Sequence, residues 1–85
     1  MHVKVLKEEK DKLVIELDDL TIATLVASYA SEQRGVDFAT FVKEHPYLEN
    51  PKIVVKATNA KVAMKRAIDK LLSDLEGLKK QVKKL

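Results

Sequence analysis

The sequence predicts an α+β domain: a two-layer ββαββα chain with a four-stranded antiparallel sheet, both helices on one face, and a long C-terminal helix. Three observations predict it. Four short segments alternate apolar with polar residues, the period of half-buried strands. Two other segments repeat their apolar residues at helical spacing. The connections between them are short, as hairpins require. The 85 residues are read as a single domain, 1–85, with no internal repeat at the residue level.

The elements follow in order. "VKVLK" (3–7) and "KLVIEL" (12–17), separated by the charged "EEKDK", read as a hairpin. Val3 and Val5 are expected on one face, with Val14 or its neighbours opposite. "DDLTIATLVASYAS" (18–31) changes to helical period, and Asp19 or Thr21 can cap its start by accepting an orphan backbone N–H. Ile22, Leu25, Val26 and Tyr29 then form one stripe, with Ala23, Ala27 and Ala30 away from it. A helix apolar nearly all round needs burial on two sides, and one small sheet covers only one. Gly35 closes the segment.

"VDFATFVKEH" (36–45) returns to strand period, with Val36, Phe38, Thr40 and Val42 expected on one face. "PKIVVKAT" (51–58) is the fourth strand. Between them Pro46 and Pro51 each remove an amide donor and fix φ, so "HPYLEN" reads as loop punctuation. In the last segment Met64, Ile68, Leu71, Leu75, Leu78, Val82 and Leu85 are spaced 4, 3, 4, 3, 4, 3, an unbroken a/d heptad line. A helix over 60–85 is about 37 Å long, whereas a strand of this sheet spans about 20–27 Å. Met64 and Ile68 are expected over the sheet, and Leu78, Val82 and Leu85 on an overhang that needs another surface.

Composition narrows the function. A chain this short buries only about 60–65% of its unfolded surface, and such domains usually rely on a disulfide, a metal or a partner. Cysteine is absent, which excludes disulfides, thiolate zinc sites and cysteine nucleophiles and leaves a partner. A net charge of +3 is mild for a nucleic-acid binder, and the two Tyr and two Phe are too scattered for a base-stacking platform. No apolar run approaches the length of a membrane span, and "MHVKVLKEEK" is not a signal peptide, so the cytoplasm is expected.

No catalytic set converges. His45 is one of two histidines and has no second imidazole or thiolate near it in sequence, so it reads as a loop residue rather than a metal ligand. Asp18 with Asp19, Glu8 with Glu9, and Asp74 with Glu76 read as caps and solvated acids. Ser28, Ser31 and Ser73 lack a nucleophile turn, and two glycines make no phosphate-cradling loop. Lys79, Lys80, Lys83 and Lys84 suit the negative end of a helix dipole. The expectations are no catalytic residues, no cofactor, no metal and no small-molecule ligand. A partner interface is expected on Ile22, Leu25, Val26, Tyr29, Leu71, Leu75, Leu78, Val82 and Leu85.

"VDFATFVKEHPYLENPKIVVKAT" resembles the strand–loop–strand segment of the archaeal RNA polymerase subunit L family. That family includes the small dimerisation subunit of the eukaryotic enzyme and corresponds to the dimerisation part of the bacterial α subunit. "VKVLKEEKDKLVIEL", "DDLTIATLV" and "AMKRAIDKLLSDLEGLKKQV" extend the likeness over nearly the whole chain. The junction differs: it reads Asp19-Leu20-Thr21 where the family usually has acidic-His-Thr, and Thr24 stands where Asn is common. The resemblance implies a non-catalytic subunit of a nucleotidyltransferase complex. Such a protein pairs with the polymerase's D subunit, and the heterodimer is the platform for the large catalytic subunits. Self-pairing of the isolated chain is the corresponding expectation. The alternatives are a small basic nucleic-acid-binding protein and a homodimeric adaptor.

Overall fold

The computed structural model describes residues 1–43 and 49–85. The reading of His45 and Pro46 lies outside the described residues. The chain forms β1 (Val3–Glu8), β2 (Lys12–Leu17), α1 (Leu20–Ser31), β3 (Val36–Val42), β4 (Lys52–Ala57) and α2 (Ala60–Lys83). The four strands make one sheet in the order β1-β2-β4-β3, with every neighbouring pair antiparallel. This is the expected ββαββα architecture.

Local chemistry sets the boundaries. Asp19 caps α1 by accepting from the Ile22 amide at 3.0 Å, and Asn59 caps α2 by accepting from the Val62 amide at 3.2 Å. The chain leaves α1 at Glu32 and turns into β3 at Gly35, whose φ of +82° lies in the left-handed region that a side chain disfavours. The β1–β2 turn closes through Glu9 N–H donating to the Lys12 carbonyl at 2.8 Å.

One face of the sheet carries the helices. Leu13 and Leu17 of β2 and Ile53, Val55 and Ala57 of β4 are buried there, against Ala23, Val26, Ala27 and Ala30 of α1 and Ala60, Ala63, Met64, Ala67 and Leu71 of α2. Alanine thus supplies most of the helical side of the core. Small side chains let a helix axis approach its neighbour closely, so the alanine face is the one that fits inward. This leaves the stripe of Ile22, Leu25, Val26 and Tyr29 turned largely away from the sheet. Of the predicted stripe only Val26 is buried, Ile22 and Tyr29 lie at the margin, and Leu25 is exposed.

Two bulges change which residues share a face. Val36 pairs with Ala57 but Phe38 pairs with Lys56, so Asp37 is the extra residue and the two flanking side chains point to opposite faces. Val36, Ala39 and Phe41 lie on the helix side, while Phe38, Thr40 and Val42 lie on the outer side, against the expected grouping. In β1 the irregularity falls at Leu6; Val3 and Val5 pair with Leu17 and Ile15 and so face the helix side, and Val14 faces outward opposite Lys7.

On the outer side the register sets Lys12, Lys56 and Phe38 in one row across β2, β4 and β3. Val14, Val54 and Thr40 form the next row, and Glu16, Lys52 and Val42 the third. β1 adds Lys4 beside Glu16 and Lys7 beside Val14.

Candidate functional site

The helical layer is narrower than the sheet. α1 lies over β3 and β4, and α2 over β4 and β2. Among the described residues nothing comparable covers β1, whose six residues are all exposed although Val3 and Val5 point to the helix side. Between β1 and α2 runs an apolar groove of about 310 Å³. Ile15 and Leu17 form its floor, Met1 and Val3 one wall, and Ile68, Leu72 and Leu75 the other, with Ile22 and Val26 of α1 at its end.

α2 carries the apolar surface onward. Its 24 residues make a helix about 36 Å long, and its last residue buried in the core is Leu71. Beyond that point Leu75, Leu78 and Val82 stand 50%, 59% and 57% exposed on the heptad line, with Leu72 beside them, and Leu85 is fully open. The overhang expected from length alone is therefore present. Exposed apolar patches of this extent, continuous from a sheet edge along a helix, mark interaction surfaces on soluble proteins.

The nine residues expected at an interface fall into three groups. Leu25, Leu75, Leu78, Val82 and Leu85 are exposed, and Ile22 and Tyr29 are at the margin. Val26 and Leu71, at 6% and 8% exposure, belong to the chain's own core and lie beneath the surface rather than on it. Ile68 is 40% exposed at the groove rim instead of sealed over the sheet, because Ala63 and Ala67 take the inward positions of that turn. Sequence reasoning missed Leu72, Val3 and Val5. Leu72 sits one residue off the heptad line but four after Ile68, a same-face spacing. Val3 and Val5 became part of the surface only through the strand order, which puts β1 at an edge.

A polar strut fixes α2 against α1. The Tyr29 hydroxyl donates to Asp74 Oδ2 at 2.8 Å, and Lys70 Nζ donates to Asp74 Oδ1 at 2.9 Å. The Lys70 ammonium and then the Tyr29 hydroxyl hold the Asp74 carboxyl below the usual carboxylate range. The same hydrogen bonds to Asp74 raise the Tyr29 and Lys70 values. Asp74 is the next turn after Leu71, so the strut sits where α2 leaves the core and orients the overhang. At its other end, Lys61 of α2 reaches Glu8 of β1 at 3.7 Å.

Among the described residues there is no buried polar or charged side chain, and no group of three or more His, Asp or Glu placed to hold a metal ion. No helix among them is long and apolar enough to cross a membrane.

Fold and surface together define a class: small two-layer domains whose apolar helix side extends past what they cover themselves. Residues 11–81 match the family model of the RNA polymerase Rpb3/Rpb11 dimerisation domain, and the chain belongs to that family. It is 33% identical over 87 aligned positions to DNA-directed RNA polymerase subunit Rpo11 of Thermoplasma volcanium, covering 96% of this chain and 78% of the relative. The Rpo11 subunit of Saccharolobus islandicus is 35% identical over 75 positions, covering 85% of this chain and 79% of the relative. The crystal structure of DNA-directed RNA polymerase subunit L from Thermoplasma acidophilum superposes with a TM-score of 0.84 at 29% identity, covering 98% of this chain and 86% of that one.

Proposed function

We propose that this chain is a non-catalytic assembly subunit of a DNA-directed RNA polymerase, working in the cytoplasm. It heterodimerises through its helix side with the polymerase's D subunit, and the pair is the platform on which the large catalytic subunits assemble. The observation that carries this reading is the row Leu75, Leu78 and Val82, exposed on a helix that outruns its sheet. Apolar side chains left half or more exposed by the chain's own fold each gain roughly 1–2 kcal/mol when a partner completes their burial. The family's description as a dimerisation domain and the naming of its relatives as polymerase subunits support the same reading. In this arrangement Ile22, Leu25 and the Tyr29 ring flank the overhang, Leu85 extends it, and Val26 and Leu71 back it from within.

Co-expression with the D subunit of the same source tests the proposal. A stoichiometric complex that survives molar salt is expected, because apolar pairing does not weaken as salt rises. Two proteins that elute apart overturn it. Binding to nucleic acid that weakens steeply with salt favours the basic nucleic-acid-binding reading instead.

A further inference from the structure

The sheet face turned away from the helices has a different character from the groove. Its register gathers Lys4, Lys7, Lys12, Lys52 and Lys56 around a half-buried pair, Val14 and Val54, that sit directly opposite each other on the two central strands. Glu16 is the one acidic residue in these rows. Lys7 and Lys52 are drawn to acids at the margins, Glu9 at 3.4 Å and Glu49 at 4.0 Å. Lys12 and Lys56 make no ion pair among the described residues, yet they are directly opposed on neighbouring strands. Like charges in that position repel and destabilise a sheet. Their cost is one that the free chain bears and an anionic partner would remove.

We propose that this face docks an acidic polypeptide segment whose carboxylates alternate with apolar side chains, with Lys12 and Lys56 as its anchor. Charge complementarity selects the sign of the partner. The apolar centre ringed by charge selects polypeptide, since protein interfaces place an apolar core inside a polar rim. Among the described residues Phe38 is the only Phe, Tyr or Trp in these rows, whereas single-stranded nucleic acid is held by several stacked bases. The inference does not rest on the polymerase reading, because the face lies on the side of the sheet opposite the groove and the overhang.

The test uses the full chain and three probes: a twelve-residue peptide alternating Glu with Val, the same peptide with Gln for Glu, and an oligothymidylate of equal length. The Glu peptide is expected to bind, to bind more weakly as salt rises, and to outcompete both others. Lys56→Glu places an acid opposite Lys12. It should raise Tm by about 1–5 °C while weakening the peptide about tenfold or more, two effects of opposite sign. Lys12→Gln, which removes one charge and adds none, should weaken the peptide in the same direction with the fold intact. Equal binding of the Gln peptide, tighter binding of the oligothymidylate, or a Lys12→Gln chain that binds like the parent overturns the proposal. A Lys56→Glu chain that melts below the parent overturns the claim that Lys12 and Lys56 strain the free sheet.

Discussion

Leu78→Asp puts a carboxylate on the overhang, where the chain's own fold asks little of the side chain. Leu78 is 59% exposed, so roughly 1–2 kcal/mol of its full burial value remains for a partner to realise. A carboxylate left unpaired against an apolar surface costs several kcal/mol more. Together these predict a loss of about a hundredfold or more in affinity for the D subunit. The cost to the fold is small by comparison. Aspartate is a poorer helix former than leucine by about 0.5 kcal/mol, and its repulsion with Asp74, four residues earlier, adds about 0.2–0.5 kcal/mol. The Tm of the free chain should therefore fall by no more than about 4–8 °C. Met64→Asp is the counterpart. Met64 is 5% exposed in the core, and a carboxylate there removes several kcal/mol from a total stability of only about 5–15 kcal/mol. Circular dichroism melts and calorimetric titration with the D subunit on both variants give the answer. If Leu78→Asp melts as low as Met64→Asp, or binds the D subunit like the parent, the overhang is not the pairing surface.

Expressed alone, the chain should sediment as a dimer at micromolar concentration, since self-pairing would bury the exposed Leu72, Leu75, Leu78 and Val82; a monomer throughout that range contradicts this. Asp74 has a depressed carboxyl value, so its contribution to stability is present above the ordinary carboxylate range and is lost as pH falls below it. Asp74→Asn should accordingly melt below the parent at neutral pH and converge with it in strong acid, and parallel curves contradict the strut. Asn59→Ala removes the α2 cap and should cost about 1 kcal/mol, read as a Tm drop of about 4–8 °C. Gly77 lies inside α2 with nothing within 4 Å of where a Cβ would sit, so Gly77→Ala should stabilise the free chain by about 0.5–1 kcal/mol.

The parts of the fold that local pattern controls were legible in the sequence. The alternation in 3–7 and 12–17 and the capping chemistry at Asp19 place their elements to within a residue or two, because those signals depend on neighbours in the chain. Two readings failed where packing decides. Spacing groups Val26 with Ile22, Leu25 and Tyr29 on an outward interface stripe, but at 6% exposure it packs into the chain's own core beside Ala23, Ala27 and Ala30. Val36 and Phe38 alternate correctly in the sequence, and the bulge at Asp37 separates them. Of the candidate surface, the overhang followed from helix length against strand length. The contribution of β1 did not, because it depends on a strand order that no local pattern encodes. The lysine face is likewise a product of register: Lys12 and Lys56 are 44 residues apart and meet only through the pairing of β2 with β4.

Pairing through the helix side along the α2 overhang is open to site-specific photo-cross-linking in the complex co-expressed with the D subunit. One chain carries benzoyl-phenylalanine in place of Leu75, on the heptad face, and another in place of Val54, on the outer face of the sheet. A cross-link to the D subunit from position 75 and none from position 54 is the expected result. A cross-link to that partner from position 54 with none from position 75 would contradict it.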